Sequence, residues 1–159
     1  MRIRNSVILI LVVTLFFSCD KKRVFDEYKS VGRAWHKDSV VSFNLPDLDS
    51  TKRYNLFVTL RDNNDYPFNN LFLIVALEMP NGYTKVDTLE YQMANPDGSL
   101  MGDGFSDIKE NKLFYKEKVR FRGKYKVNIK QAVRETGKVP GVTALDGITE
   151  VGFRIENTD

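Results

Sequence analysis

The stretch NPDGSLMGDGFSDIKE, Asn95 to Glu110, brings four carboxylates and three glycines into sixteen residues. Asp97, Asp103, Asp107 and Glu110 are candidate oxygen ligands for Ca²⁺, and Gly98, Gly102 and Gly104 would let the backbone turn sharply around an ion. The spacing departs from the EF-hand pattern, D-x-[DN]-x-[DN]-G followed by a glutamate. The alternative is a glycine-rich connection whose aspartates close Asx-turns and face water. Structural calcium is the only dissociable cofactor the residues leave open, and no metal set is assigned.

His36 is the one histidine. A Ser–His–Asp arrangement would have to use it, and no G-x-S-x-G segment accompanies it. A zinc site would need several more histidines or cysteines than the chain has. Beside Trp35, His36 is a candidate for a ligand or partner surface; the plainer alternative is a surface histidine next to a tryptophan that covers one end of the fold. Tyr66 and Phe68 flank Pro67 within NNDYPFNN. Exposed aromatics beside amides suit glycan or protein contacts, and the alternative is that both rings fold back as a core plug. Carboxylate pairs for glycoside hydrolysis can be drawn from the many acidic residues, but a domain of this size leaves little room for a substrate cleft. No catalytic residues and no small-molecule substrate are expected.

Cys19 is the only cysteine. It follows Arg2 and Arg4, the apolar run VILILVVTLFF and Ser18, which is the layout of a secretory signal peptide. The run is shorter than the ~20 residues that cross a bilayer. A cysteine directly after a small residue at this point resembles the bacterial lipobox, although Phe16 and Phe17 stand where smaller side chains are commoner. The implied modification is a diacylglycerol and acyl lipid on the Cys19 thiol; the alternative is a free or bridged thiol. Two or more acyl chains hold a protein stably on a membrane, since each buried methylene contributes about 0.8 kcal/mol. The expected organisation is a signal peptide over 1–18, a lipidated tether over 19–23 and one domain over 24–159.

The formal charge of +3 does not make a nucleic-acid protein. Arg2 and Arg4 lie in the leader, and without them the 24 cations fall to 22 against 21 carboxylates. No net electrostatic footprint for phosphate polymers remains.

The elements that must position these groups read as strands. Val41, Phe43 and Leu45 share a face; so do Tyr54, Leu56, Val58 and Leu60, then Tyr125, Val127 and Ile129, then Val151, Phe153 and Ile155. VFDEYKSV reads as an edge strand, and Lys124, Lys126 and Lys130 form a solvated stripe of the kind that protects a sheet edge. LFLIVAL, Leu71 to Leu77, suits a central strand covered on both faces. Asn81-Gly82 marks a hairpin turn, with TKVDTLEYQM returning through a bulge at Val86. Between Gln131 and Gly147 at most one or two helical turns fit. Short strands with turn signals every ten or so residues predict an antiparallel β-sandwich, jelly-roll-like in its connections.

The Cys19 segment, YNLFVTLRDNNDYPFNNLFLIV, NPDGSLMGDGFSDIKE, FRGKYKVNIKQAVR and DGITEVGFRIE together resemble the gliding-motility lipoprotein GldH family. The resemblance implies a non-enzymatic envelope lipoprotein of Bacteroidota with a β-sandwich domain, serving gliding motility and the linked type IX secretion system. Its implied partners are the membrane, through the lipid, and other gliding or secretion lipoproteins. Only Cys19 carries over as a functional residue. CDKKRVF lacks an acidic surface-export signal, so the expected position is the outer membrane, facing the periplasm. The rival reading is a carbohydrate-binding sandwich with Trp35, Tyr66 and Phe68 as its platform.

Overall fold

Alternating apolar and polar residues give a chain of strands, and a computed structural model describes residues 20–158. In order they are β1 (Arg23–Ser30), β2 (Ala34–His36), β3 (Val41–Asn44), β4 (Tyr54–Asp62), β5 (Asn70–Glu78), β6 (Thr84–Gln92), β7 (Lys109–Val119), β8 (Lys126–Gln131), β9 (Ala144–Asp146) and β10 (Ile148–Asn157). Their pairing is nested. β1 pairs with β10, β2 with β9, β3 with β8, β4 with β7 and β5 with β6, all antiparallel. This is one long hairpin whose tip is the turn at Asn81-Gly82, rolled up on itself. Contacts of β10 with β4 and of β5 with β8 close the roll into two four-stranded sheets, β1-β10-β4-β7 and β3-β8-β5-β6. The predicted jelly-roll sandwich is therefore the observed fold.

The inward rows meet between the sheets. Leu56, Val58, Leu60, Val151, Phe153 and Ile155 of one sheet face Phe43, Leu71, Leu73, Val75, Val127 and Ile129 of the other, and all are buried. Phe43 and Phe153 stack with ring centroids 6.4 Å apart. Each such side chain contributes roughly 1.5–3 kcal/mol by leaving water. Gly152 is needed in the middle of β10, because a Cβ there would strike the Thr59 hydroxyl and lie 2.8 Å from the Glu27 carbonyl.

Several expectations are corrected. β5 is buried on one face only, with Phe72, Ile74 and Ala76 half-exposed on the other. β8 lies inside its sheet, between β3 and β5, so Lys126 and Lys130 guard no edge. β5 and β6 pair without a register shift; Val86 simply points outward, 59% exposed. The segment 132–147, within the bound of at most one or two helical turns, has none and holds an isolated Arg134–Gly141 bridge and β9. β7, whose residues show no period-2 alternation, is a strand that the pattern does not predict.

The two ends of the roll differ. At the entry end, where the described chain begins, lie residues 20–22, 45–53, 79–83 and 120–125. At the far end lie 31–40, 63–69, 93–108 and 132–147.

Candidate functional site

The far end gathers most of the residues singled out by sequence. Asn63 starts a turn: its side chain accepts the Asp65 N–H at 3.0 Å and its carbonyl the Tyr66 N–H at 3.0 Å. The turn drives the Tyr66 ring inward, where its hydroxyl donates to the Asn70 carbonyl at 2.7 Å and its ring meets Phe68 edge-on at 6.0 Å. Burial, with the nearby Asp62 charge, pushes the phenol well above its usual range. Gly147 makes this possible. Its φ is +83°, and a Cβ there would overlap the Tyr66 backbone.

Trp35 is fully buried, pairs with Leu145 across β2 and β9, and donates its indole N–H to the Ser39 carbonyl at 3.1 Å. The proposed aromatic platform is thus corrected. Trp35 and Tyr66 plug the mouth of the roll because their large apolar surfaces gain more inside it than outside. Phe68 alone is part-exposed. His36 is exposed beside the plug, and its Nδ1 accepts the Asp38 N–H at 3.2 Å.

The acidic loop is not drawn together around one point. Asp97 accepts the Ser99 N–H and hydroxyl at 2.9 and 2.6 Å, an Asx-turn, and these bonds hold its carboxyl below the usual range. Asp103 and Glu110 form a backbone bridge, while the Glu110 carboxylate goes to Arg61 at 3.2 Å. Asp107 receives a long bond from Asn64, 3.4 Å. Among the described residues no three of Asp, Glu, His or Cys converge at metal distance.

Sequence reasoning missed Asp62 and Asn111. Asp62 is fully buried at the end of β4, and Asn111 donates to its Oδ1 at 2.6 Å and to the Met101 carbonyl at 3.3 Å. This amide ties the loop 93–108 to the sheet. Burial pushes the Asp62 carboxyl up to about 6, with the Asn111 bond opposing it. Its phase on β4 continues the inward row of Leu56, Val58 and Leu60, but a carboxylate at the end of a strand is ordinarily solvated, so the pattern alone does not mark it as buried.

Beside the plug lies an open cleft of about 800 Å³, lined by Phe68, Asn70, Glu90, Gln92, Asn95 and Arg134 among others. Asn70 donates to Glu90 at 2.8 Å, and Gln92 to the Ala94 carbonyl at 2.9 Å. Glu90 is the one carboxylate of the lining, so paired-carboxylate hydrolysis has no second group there. The cleft can offer amide hydrogen bonds, one cation and one ring edge to an extended polar partner.

At the entry end, Cys19 and the leader 1–18 lie outside the described residues. Residues 20–23 do not hang free. Arg154 forks onto Asp20, Asp26 and Glu156, at 2.9 Å for Asp26 and 2.6 Å for Glu156. The Arg154 bond draws the Asp20 carboxyl below its ordinary value. Asn157 donates its N–H to the Lys22 carbonyl at 2.8 Å. Lys112 joins Glu156 at 2.7 Å; burial resists the Glu156 charge, but the two cations outweigh it and hold that carboxyl low.

Fold and surface define a jelly-roll module, with an open polar cleft at one end and its chain entry clamped at the other. The model of the GldH lipoprotein family matches residues 23–155, and the chain belongs to that family. It is 79% identical over 159 residues, the whole of both chains, to the gliding motility lipoprotein GldH of Flavobacterium johnsoniae. It is also 56% identical over 154 residues to the gliding motility lipoprotein GldH homolog of Christiangramia forsetii, covering 96% of this chain and 94% of that one.

Proposed function

We propose that this protein is an acylated envelope component of a gliding apparatus, working by protein contacts and not by turnover. The observation that carries the reading is full-length similarity, 79%, to a protein whose name states both the lipid and the motility role. Cys19 is the acyl acceptor, and the body sits in the periplasm on the outer membrane. The resemblance of its motifs supports a part in the linked type IX secretion machinery. The cleft at the far end, with one carboxylate and several amides, suits binding of a polar segment of a partner and lacks an acid–base pair.

Replacing the chromosomal copy by Cys19→Ser tests this. Envelope fractions should lose the protein, and spreading of colonies should stop. Normal spreading with the unacylated variant would refute the anchored role. Affinity capture of the acylated wild type from envelopes should bring down gliding or secretion lipoproteins; capture of none would refute the contact role. Protease added to intact cells should leave the protein whole, and its digestion would place it on the outer surface instead.

A further inference from the structure

Resting on the reading of Cys19 as acylated, the structure also says how the body meets the membrane. Consecutive Cα atoms lie about 3.8 Å apart, so Cys19 directly adjoins Asp20, which Arg154 clamps to the sheet. No free linker remains between lipid and fold. The entry end must then lie against the headgroups.

Among the described residues, that end carries cations without ion-pair partners. Register places Arg23 opposite Glu156, and Tyr54 opposite both Asn157 and Val119. Lys22, Arg23, Lys52, Arg53, Lys118 and Arg120 thereby sit at the ends of β1, β4 and β7, along an edge four strands wide in which β10 adds no cation, all exposed. At about 4.8 Å between strands the row is roughly 15 Å wide. None of the six has a carboxylate within 4.0 Å among the described residues, whereas Arg61, Lys112 and Arg154 on the sheet face are all paired. Among the described residues, carboxylates on the same rim are fewer: Asp20, Asp47, Asp49 and Glu117, with Asp20 held by Arg154 and Asp49 by the Thr51 N–H and hydroxyl. Lys118 takes φ +52°, a left-handed conformation that lysine rarely adopts, and its N–H is fixed by Asn55 at 3.1 Å.

We propose that this rim is a headgroup-binding face, seating the domain upright on the anionic phospholipid surface that holds its acyl chains. Lysine and arginine near such a surface are drawn to it within a Debye length, about 8–10 Å at ordinary salt. The far-end cleft is then held away from the bilayer, toward partners.

The test uses the acylated protein purified from envelopes, its Cys19 modification read by intact mass. It is reconstituted into phosphatidylethanolamine vesicles with or without phosphatidylglycerol, and lysine acetylation is followed by mass spectrometry. Lys22, Lys52 and Lys118 should label several-fold more slowly when phosphatidylglycerol is present, with high salt restoring the rate. Lys37 and Lys138, at the far end, should be unaffected. The variant Lys52→Glu/Arg53→Glu/Lys118→Glu should stay in the vesicles yet lose the protection at Lys22. Equal labelling at both ends of an acylated sample overturns the seating alone. An unmodified Cys19 mass overturns the anchor, and the seating falls with it.

Discussion

At the far end the roll is stopped by Trp35 and Tyr66 together with buried polar groups: Asp62, held by Asn111, and Asn111 and Gln131, each tied to a loop. At the entry end the inner stopper is the aromatic run Tyr54, Phe121 and Tyr125, with centroids 5.9 and 4.8 Å apart, and outside it stands the row of unpaired cations. One end folds its polar groups inward and uses them to fix loops. The other keeps its charge outside and leaves it unspent. Charge that contributes little to stability is free to meet another surface, and substitutions at the two ends should therefore weigh very differently.

The largest effect is expected at the far-end plug. Trp35→Ala would leave a cavity in the mouth of the roll and cost about 3–5 kcal/mol, read as a drop in the urea midpoint; a loss comparable to a surface change would show that the plug is dispensable. Gly147→Ala should follow, at about 3 kcal/mol, combining a left-handed φ with a backbone clash against Tyr66. A structure of that variant would show the Tyr66 turn displaced.

Asp62→Asn sharpens the contrast in pH. The folded-state pKa, about 6, lies above the ordinary 3.8, so folding favours the protonated group. On this account stability is highest below about pH 4, declines as pH rises through 6, and stays lower above it. The neutral amide removes that decline and should stabilise the protein at pH 7 by something of the order of 2 kcal/mol. Melting curves at pH 4 and pH 7 should converge for the variant; an unchanged difference would assign the pH dependence elsewhere.

Smallest of all is the entry rim. Lys52→Ala/Arg53→Ala should move stability by no more than about 0.5 kcal/mol, because both side chains are exposed and neither has an ion-pair partner among the described residues. A marked loss would mean that the rim is structural after all.

Much of this was legible in the chain, and the failures have physical causes. Period-2 rows such as Leu56-Val58-Leu60 and Val151-Phe153-Ile155 announced their strands because only one face of each is wet. β7 escaped notice since Leu113, Phe114 and Tyr115 run together without alternation between charged flanks, and bulges opposite Tyr54 and Leu56 break the phase. Local pattern leaves Trp35 and Tyr66 open between a surface platform and a plug; the return of Gly147 past Tyr66 and of Leu145 past Trp35 decides for the plug. Such long-range closure is invisible in local pattern. In the acidic loop composition alone admitted an ion site, and the alternative of Asx-turns describes Asp97, which turns to Ser99, while Glu110 goes to Arg61.

Nested pairing has a mechanical corollary. A pull arriving through Asp20 runs along the axis of β1, whose seven register partners on β10 bond at right angles to that direction. The bonds are loaded sideways and together, not peeled one after another. β10 in turn is gripped on its other edge by β4, so tension from a bilayer is shared across the sheet before any single strand can slip.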